Sequence, residues 1–274
     1  MGGLGGNGVR LWDWAKPTGC NRWAFRRSSS VRDAPGCYPA PMLLDLNADL
    51  GEAAGFDAAL MPLVTSANVC CGAHAGSADE TADTLALAHF QGVAVGAHPG
   101  YPDSENFGRR NLPAPSNELY AQLVHQLAGF MAAAQREGVA VRYVKPHGAL
   151  YNQAAADAAF ANVLCSAVAN WELPVVGLPG SEVEKCCQLF STPFVAEGFA
   201  DRRYRPDGSL VPRTEPDAFV HDPDEAVAQI ERLVRERGVR TVCVHGDNPE
   251  AVAFTTAVRA GLLARGFVLR AFAA

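Results

Sequence analysis

The sequence predicts an α/β protein, a distorted (β/α) barrel of about seven units built on a parallel sheet. An open doubly wound sheet is the alternative, because strand order is not readable from one chain. Two observations carry the prediction. From Met42 onward short apolar runs alternate with helix-like segments, and five of these runs break abruptly into loops rich in Asp, His, Lys and Gly. In parallel α/β folds, ligands bind where the carboxyl ends of the strands meet the following loops, so five such endings point to one shared site.

Taken in order, Leu43-Leu44 leads into Asp45-Leu46-Asn47-Ala48-Asp49-Leu50-Gly51-Glu52. The run from Leu63 to Cys71 leads into Gly72-Ala73-His74-Ala75-Gly76, and Val93-Ala94-Val95 leads into Gly96-Ala97-His98-Pro99-Gly100. Val139-Ala140-Val141-Arg142-Tyr143-Val144 breaks into Lys145-Pro146-His147-Gly148, and Val239 to Val244 breaks into His245-Gly246-Asp247. Further strands are expected near 174–178 and 193–196, with Phe267-Val268-Leu269 as a closing strand.

Between the strands, Ser77-Ala78-Asp79-Glu80 opens a helix with an N-cap Ser and early acids, and Gly92 stops it. A second helix starts at Pro115-Ser116-Asn117-Glu118, carries the stripe Leu119, Leu123, Leu127, Phe130, and ends at Gly138. A third is expected over about 153–169. A fourth runs from Asp222-Pro223-Asp224 to Gly238, and a fifth over about 249–265 up to Gly266. The polar, Gly/Pro-rich loops near 98–114 and 198–221 are candidate lids.

The 274 residues fit one large α/β domain. A net charge of −6 argues against a nucleic-acid surface. No apolar run approaches the roughly 18 residues needed to span a bilayer. Of eight cysteines, Cys70, Cys71, Cys165 and Cys243 sit in apolar runs as small core residues, a pattern that fits the cytoplasm better than a disulfide framework.

Residues 1–41 do not match the rest. They lack hydrophobic periodicity and set six basic residues against two acidic ones. They are expected to be a disordered extension, or the product of a start placed too early with Met42 as the natural beginning; residues 42–274 form the single barrel domain. Gly3-Leu4-Gly5-Gly6-Asn7-Gly8 matches the dinucleotide pattern G-x-G-x-x-G, yet only two residues precede it, so no strand can deliver the chain to the turn. No G-x-x-x-x-G-K-[ST] phosphate loop occurs anywhere.

From Met42 to the C-terminus the blocks Asn47 to Glu52, Ser66-Ala67-Asn68, Cys71 to Gly76, Gly96-Ala97-His98-Pro99 with Asn106-Phe107-Gly108-Arg109-Arg110, Lys145 to Asn152, Phe199-Ala200-Asp201-Arg202 with Leu210-Val211-Pro212-Arg213, and His245-Gly246-Asp247 resemble the successive signatures of the LamB/YcsF family. Ala73 departs from the bulkier residue expected there. The resemblance implies a distorted barrel related to the glycoside hydrolase/deacetylase fold. It also implies the role of the A component of an ATP-dependent 5-oxoprolinase, opening 5-oxoproline to glutamate together with separate B and C subunits. ATP is then used in the complex, with its binding site expected on the partner subunits because this chain shows no phosphate loop.

Lactam opening needs a base for water, donors for the developing oxyanion or phosphate, and a clamp for the substrate carboxylate. Asp49 is the expected base, the alternative being a capping Asp. Lys145 is the oxyanion or phosphate partner, and His74, His98 and His147 are expected to assist catalysis through hydrogen bonds. Arg109 or Arg202 suits the carboxylate. Asn47, Asp201, His245 and Asp247 join them as substrate-binding residues by their places in the matching motifs. Arg110, Arg203 and Arg205 are read as surface charges, and His89, His125 and His221 as structural or exposed. No HxxxH or HExxH pairing occurs, so spacing gives no metal signal and no metal ligand is assigned. Four histidines with Asp49 and Asp247 in one mouth could still hold a divalent metal. Two other functions stay open: a metal-dependent deacetylase or amidohydrolase acting without ATP, and a non-catalytic binding subunit.

Overall fold

β1 (Met42–Leu50) organises the molecule. Its residues alternate with the two-residue period of a strand. Leu44, Leu46, Ala48 and Leu50 join the apolar core, while Asp45, Asn47 and Asp49 turn to polar partners on the other face. The computed structural model describes residues 42–246 and 249–273. The expectations for residues 1–41 and for Asp247 fall outside the described residues.

Around β1 run β2 (Ser66–Cys70), β3 (Ala94–His98), β4 (Val141–Val144), β5 (Val175–Gly177), β6 (Phe194–Phe199) and β7 (Thr241–Val244). Each pairs parallel to the next, and β1 pairs with both β2 and β7, so seven strands close a ring. The barrel alternative is therefore the one adopted. Phe267–Leu269 is a strand, as expected, but this β8 pairs with Met42–Leu44 and lies outside the ring. In β3, a Cβ on Gly96 would lie 2.1 Å from the Tyr143 ring, so the missing side chain is what lets that phenol into the barrel.

The helices are α1 (Asp57–Leu60), α2 (Ala78–Gln91), α3 (Asn117–Arg136), α4 (Gly148–Ala156), α5 (Ala158–Val168), α6 (Glu182–Phe190), α7 (Pro223–Arg237) and α8 (Ala251–Ala264). The predicted caps form: Ser77 Oγ accepts from the Glu80 N–H, Ser116 Oγ from Leu119, and the Asp222 carboxylate from Asp224 and Glu225. Gly92 and Gly238 end α2 and α7 in the left-handed conformation. On α3 the stripe Leu119, Leu123, Leu127 and Phe130 is buried, and each fully buried Leu contributes roughly 1.5–3 kcal/mol.

The single helix expected over 153–169 is two. Asp157 is extended (φ −130°, ψ 122°) and its carboxylate accepts from the Ala159 N–H, ending α4 and capping α5. α4 also starts earlier, at Gly148, immediately after the Lys145-Pro146-His147 break. Of the two candidate lids, the segment 98–114 contains a 3₁₀ turn at Ser104–Asn106. The segment 198–221 folds on itself through antiparallel bridges Arg202↔Phe219 and Tyr204↔Leu210. No described helix is long and apolar enough to cross a membrane.

Candidate active site

Barrel interiors are ordinarily filled by branched apolar side chains. Here the interior is a ladder of polar groups rising along β1. At the floor, Asp45 accepts from Thr65, Ser66 and Thr241 at 2.5–2.6 Å. One step up, Asn47 donates to Glu197 Oε1 (3.1 Å) and Thr241 Oγ1 (2.6 Å), and accepts from Asn68 (2.6 Å). At the top, Asp49 Oδ1 accepts from Asn68 (2.8 Å) and from Lys145 Nζ (2.9 Å). Lys145 Nζ also meets Glu197 Oε1 at 2.9 Å and Asn47 Oδ1 at 3.3 Å, and lies over the Phe199 ring at 5.4 Å.

The charges on this ladder are fixed by their neighbours. Burial raises the Asp49 carboxyl, but His98 and Lys145 outweigh it and hold it well below the usual carboxylate range. Burial works against the Lys145 ammonium, yet the surrounding groups, Asp49 first, keep it protonated well above the ordinary lysine value. Burial also pushes the Glu197 and Asp45 carboxyls up, in the case of Glu197 despite Lys145. The arrangement at the top is thus an ionised carboxylate gripping a buried ammonium, both lining one opening.

That opening is a narrow throat of about 40 Å³, lined by Asp49, His98, Lys145, His147, Phe199 and His245 among others. It shares Arg109, Gly148, Asn152, Arg202, Leu210 and Arg213 with a wider groove of about 1020 Å³. On one wall, Asp201 accepts from the backbone N–H of His245 (3.2 Å) and contacts its ring Nδ1 at 2.7 Å, while the ring stacks on Phe199 at 5.6 Å. Burial raises the Asp201 carboxyl, but His245 outweighs it and the net shift is down. On the rim, Arg202 donates to the Val211 carbonyl (2.5 Å) and the Ala218 carbonyl (3.4 Å), pinning the folded segment 198–221. Burial, helped by Arg213, lowers Arg202 to about 10. Arg109 lies over the Phe107 ring at 4.8 Å.

The carboxylate of Glu52 draws in three imidazoles. Glu52 Oε1 is 3.0 Å from His74 Nε2, 3.1 Å from His147 Nδ1 and 3.6 Å from His98 Nε2. Burial raises Glu52, but the His147 and His74 contacts pull it well below its ordinary value. Burial lowers His147; it also works to lower His74, where the contacts with Cys70 and Glu52 outweigh it and the net shift is up. One donor atom from each of these four residues lies within 4.8 Å of the others, a group that could hold a divalent metal; Asp49, Cys243 and His245 form a second such group.

The structure places His74, His98, Lys145, His147 and His245 at the carboxyl ends of β2, β3, β4 and β7, on the same rim as Asp49. Arg109, Arg202 and Asp201 are brought to the same mouth. Two of the expected residues lie outside the lining of the throat. Asn47 is fully buried with its amide bonded to Glu197, Thr241 and Asn68, so it braces the ladder. His74 is buried behind His147, stacked on it at 3.7 Å, and does not line the throat. Arg110 and Arg205 are exposed and Arg203 half-buried, where Arg203 pairs with Glu225; His89, His125 and His221 are exposed. Cys243 is buried in a small apolar cluster with Tyr151, Leu178 and Phe199, as expected, and its Sγ also lies 3.8 Å from Asp49 Oδ1; burial keeps its thiol protonated.

Glu52 and Glu197 were not singled out by the sequence. The signal for Glu197 was a lone charge inside the apolar run Phe194 to Phe199; for Glu52 it was a place within the first motif block.

Fold and mouth together define the class: a parallel β/α barrel with carboxylates, imidazoles and a buried lysine gathered at the carboxyl ends of its strands. The chain belongs to the LamB/YcsF family, whose sequence model matches residues 44–274. It is similar to the crystal structure of a lactam utilization protein from Thermus thermophilus, at 39% identity and TM-score 0.78, over 84% of this chain and 100% of that one. A candidate cellobiose-phosphate cleavage protein from Enterococcus faecalis shares the fold at 12% identity and TM-score 0.56, over 84% of this chain and 97% of the other. A family 4 carbohydrate esterase from Streptomyces lividans, in complex with acetate, aligns at 13% identity and TM-score 0.48, over 84% of this chain and 92% of its own.

Proposed function

We propose that this chain is the lactam-opening subunit of an ATP-dependent 5-oxoprolinase, converting 5-oxoproline to glutamate together with separate B and C subunits. The observation that carries the reading is the Asp49–Lys145 pair at the bottom of a narrow, arginine-rimmed throat. The 39% identity to a lactam utilization protein supports the substrate class.

A five-membered lactam is a poor electrophile with a poor leaving group. Phosphorylation of its carbonyl oxygen by ATP makes the ring carbon open to water. With no phosphate loop in the sequence, that transfer is assigned to the partner subunits. In this chain Asp49, kept ionised, takes a proton from water as it adds to the ring carbon. The electron pair of the C=N bond moves onto the ring nitrogen, which picks up a proton as the C–N bond breaks and leaves a γ-acyl phosphate. A second water then displaces the phosphate and frees glutamate, and Lys145 donates to the phosphate-bearing oxygen that gains charge in that step, which is where fixed positive charge contributes most. Arg109, Arg202 and Arg213 around the throat receive the substrate carboxylate and the added phosphate.

The group formed by Glu52, His74, His98 and His147 favours a second reading, an amidohydrolase acting without ATP, in which a divalent cation would supply a Lewis acid beside Asp49. The test is glutamate release from 5-oxoproline by the purified chain alone and with the B and C subunits, each with and without ATP. Turnover only in the full mixture with ATP supports the first reading. Turnover by the chain alone without nucleotide would replace it with the second.

A further inference from the structure

The segment between β3 and α3 carries Arg109, which lines the throat, and a glutamine takes hold of it at each end. Gln126, on α3, accepts from the Gly100 N–H (3.1 Å) and donates to the Gly100 carbonyl (2.9 Å). Gln153, on α4, accepts from the Leu112 N–H (3.0 Å) and donates to the Leu112 carbonyl (2.7 Å). Its Oε1 also accepts from the Tyr101 hydroxyl at 3.0 Å. A primary amide holds an acceptor and donors side by side, so it can pair with both backbone groups of one residue. Gln126 stands on the buried stripe of α3 beside Leu123, Leu127 and Phe130, a place where an unpaired amide would be costly. Both glutamines are thus used as clasps on the backbone, one at Gly100 and one at Leu112.

Between the clasps the segment meets the site. The Gly108 carbonyl accepts from the Ala149 N–H (3.0 Å), and the Phe107 carbonyl lies 2.9 Å from His147 Nε2. Phe107 holds a left-handed backbone (φ 55°), uncommon for a bulky residue, and such a turn keeps its shape only while its surroundings impose it. The Arg109 guanidinium rests over the Phe107 ring at 4.8 Å. We propose that Gln126 and Gln153 are positioning residues, which fix the two ends of segment 100–112 so that Arg109 stands at the throat before an anionic substrate arrives. The segment expected to be a lid is then a fixed wall. A free segment would have to be ordered at every binding event, a cost subtracted from affinity; a clasped one has met that cost in folding. Neither glutamine lines the throat or the wider groove, so each acts through Arg109 and not by touching substrate. Asp49 and Lys145 hold each other from β1 and the end of β4, independently of the clasps, so binding should suffer and the chemical step should be spared.

The kinetic arm of the test rests on the lactam reading; a second arm does not. In the full mixture with ATP and the B and C subunits, Gln153→Ala should raise KM for 5-oxoproline at least about 10-fold, with kcat within about 3-fold of native. Gln153→Glu keeps the length but sets an acceptor against the Leu112 carbonyl, and should do the same. In an Arg109→Gln chain, Gln153→Ala should add less than about 2-fold, since the residue it positions is gone. An unaltered KM in both Gln153 variants, a fall in kcat at unchanged KM, or the same factor with Arg109→Gln as without it would overturn the proposal. The second arm is hydrogen exchange on the full chain. The Leu112 amide in Gln153→Ala, and the Gly100 amide in Gln126→Ala, should exchange at least about 10-fold faster than in the native chain. Should the native mixture form no glutamate, the lactam reading falls by itself and exchange decides the clasps: native rates in both variants would overturn them. Should Gln126→Ala fail to fold, the Gln153 variants and the Leu112 amide carry the decision.

Discussion

Replacing Lys145 by Met keeps the length of the side chain and removes the one ammonium that Asp49 and Glu197 share. Both carboxylates stay buried, at 7% and 0% exposure, so neither recovers its solvation. Breaking a buried ion pair by deleting one partner costs about 3–5 kcal/mol. For a domain of this size that is a fall in Tm of roughly 6–20 °C. The loss must also depend on pH. Without the ammonium, the Glu197 carboxyl, already above its ordinary value, moves further up, and the Asp49 carboxyl loses one of the charges that hold it down. A group raised in this way contributes stability below its unfolded value and loses it as pH rises through the folded one. The deficit of Lys145→Met should therefore be small near pH 4 and full by pH 8. Urea unfolding of native and variant chains at pH 5 and pH 8 measures it. Adding Glu197→Gln removes one stranded charge and should recover at least about 1 kcal/mol at pH 8, since residues in one network couple by 0.5–3 kcal/mol. A deficit under about 1 kcal/mol, or one equal at both pH values, would show that the ammonium is not what neutralises the barrel interior.

Other consequences can be measured alongside. Asp49→Asn should lower kcat for ATP-dependent glutamate release about 10²–10⁴-fold, the usual contribution of a positioned base, with KM little altered. Asp201→Asn should cost about 1.5–3 kcal/mol at pH 7, as for a hydrogen bond to a charged group. Because the folded Asp201 carboxyl is depressed, that stability is present above its ordinary value of 3.8 and is lost as pH falls toward the folded value, so the variant's deficit should shrink below pH 4. Gly100→Ala should destabilise by roughly 1–3 kcal/mol through the clash with the His74 ring, read as a lower urea midpoint at unchanged slope.

Much of this molecule was legible in the sequence because strand-end chemistry and helix caps are local signals. The Ser77, Ser116 and Asp222 caps, and the breaks after Val95 and Val144, each lie within a few residues of the structure they specify. Closure of the ring was expected from the number of β/α units, but the pairing that completes it, β1 with β7 across nearly two hundred residues, is not a local signal. Asp157 was missed because a helix-compatible, Ala-rich run hides a single extended residue. α6 was missed because its buried face is Val183, Cys186 and Cys187, too sparse for a stripe. The polar interior was written in the alternation Asp45, Asn47, Asp49, which reads as a loop until Leu44, Leu46, Ala48 and Leu50 are seen on the other face. The Glu52–histidine group escaped any spacing rule because its members follow four different strands.

The most direct measurement is glutamate formed from 5-oxoproline and ATP in a mixture of B and C subunits completed with the native chain, with the Asp49→Asn chain, or with none. Turnover is expected with the native chain, and none above background with the variant or in its absence. Equal glutamate release from the native and Asp49→Asn mixtures would mean that the ring is opened elsewhere, and that the throat over Asp49 and Lys145 is not where the reaction takes place.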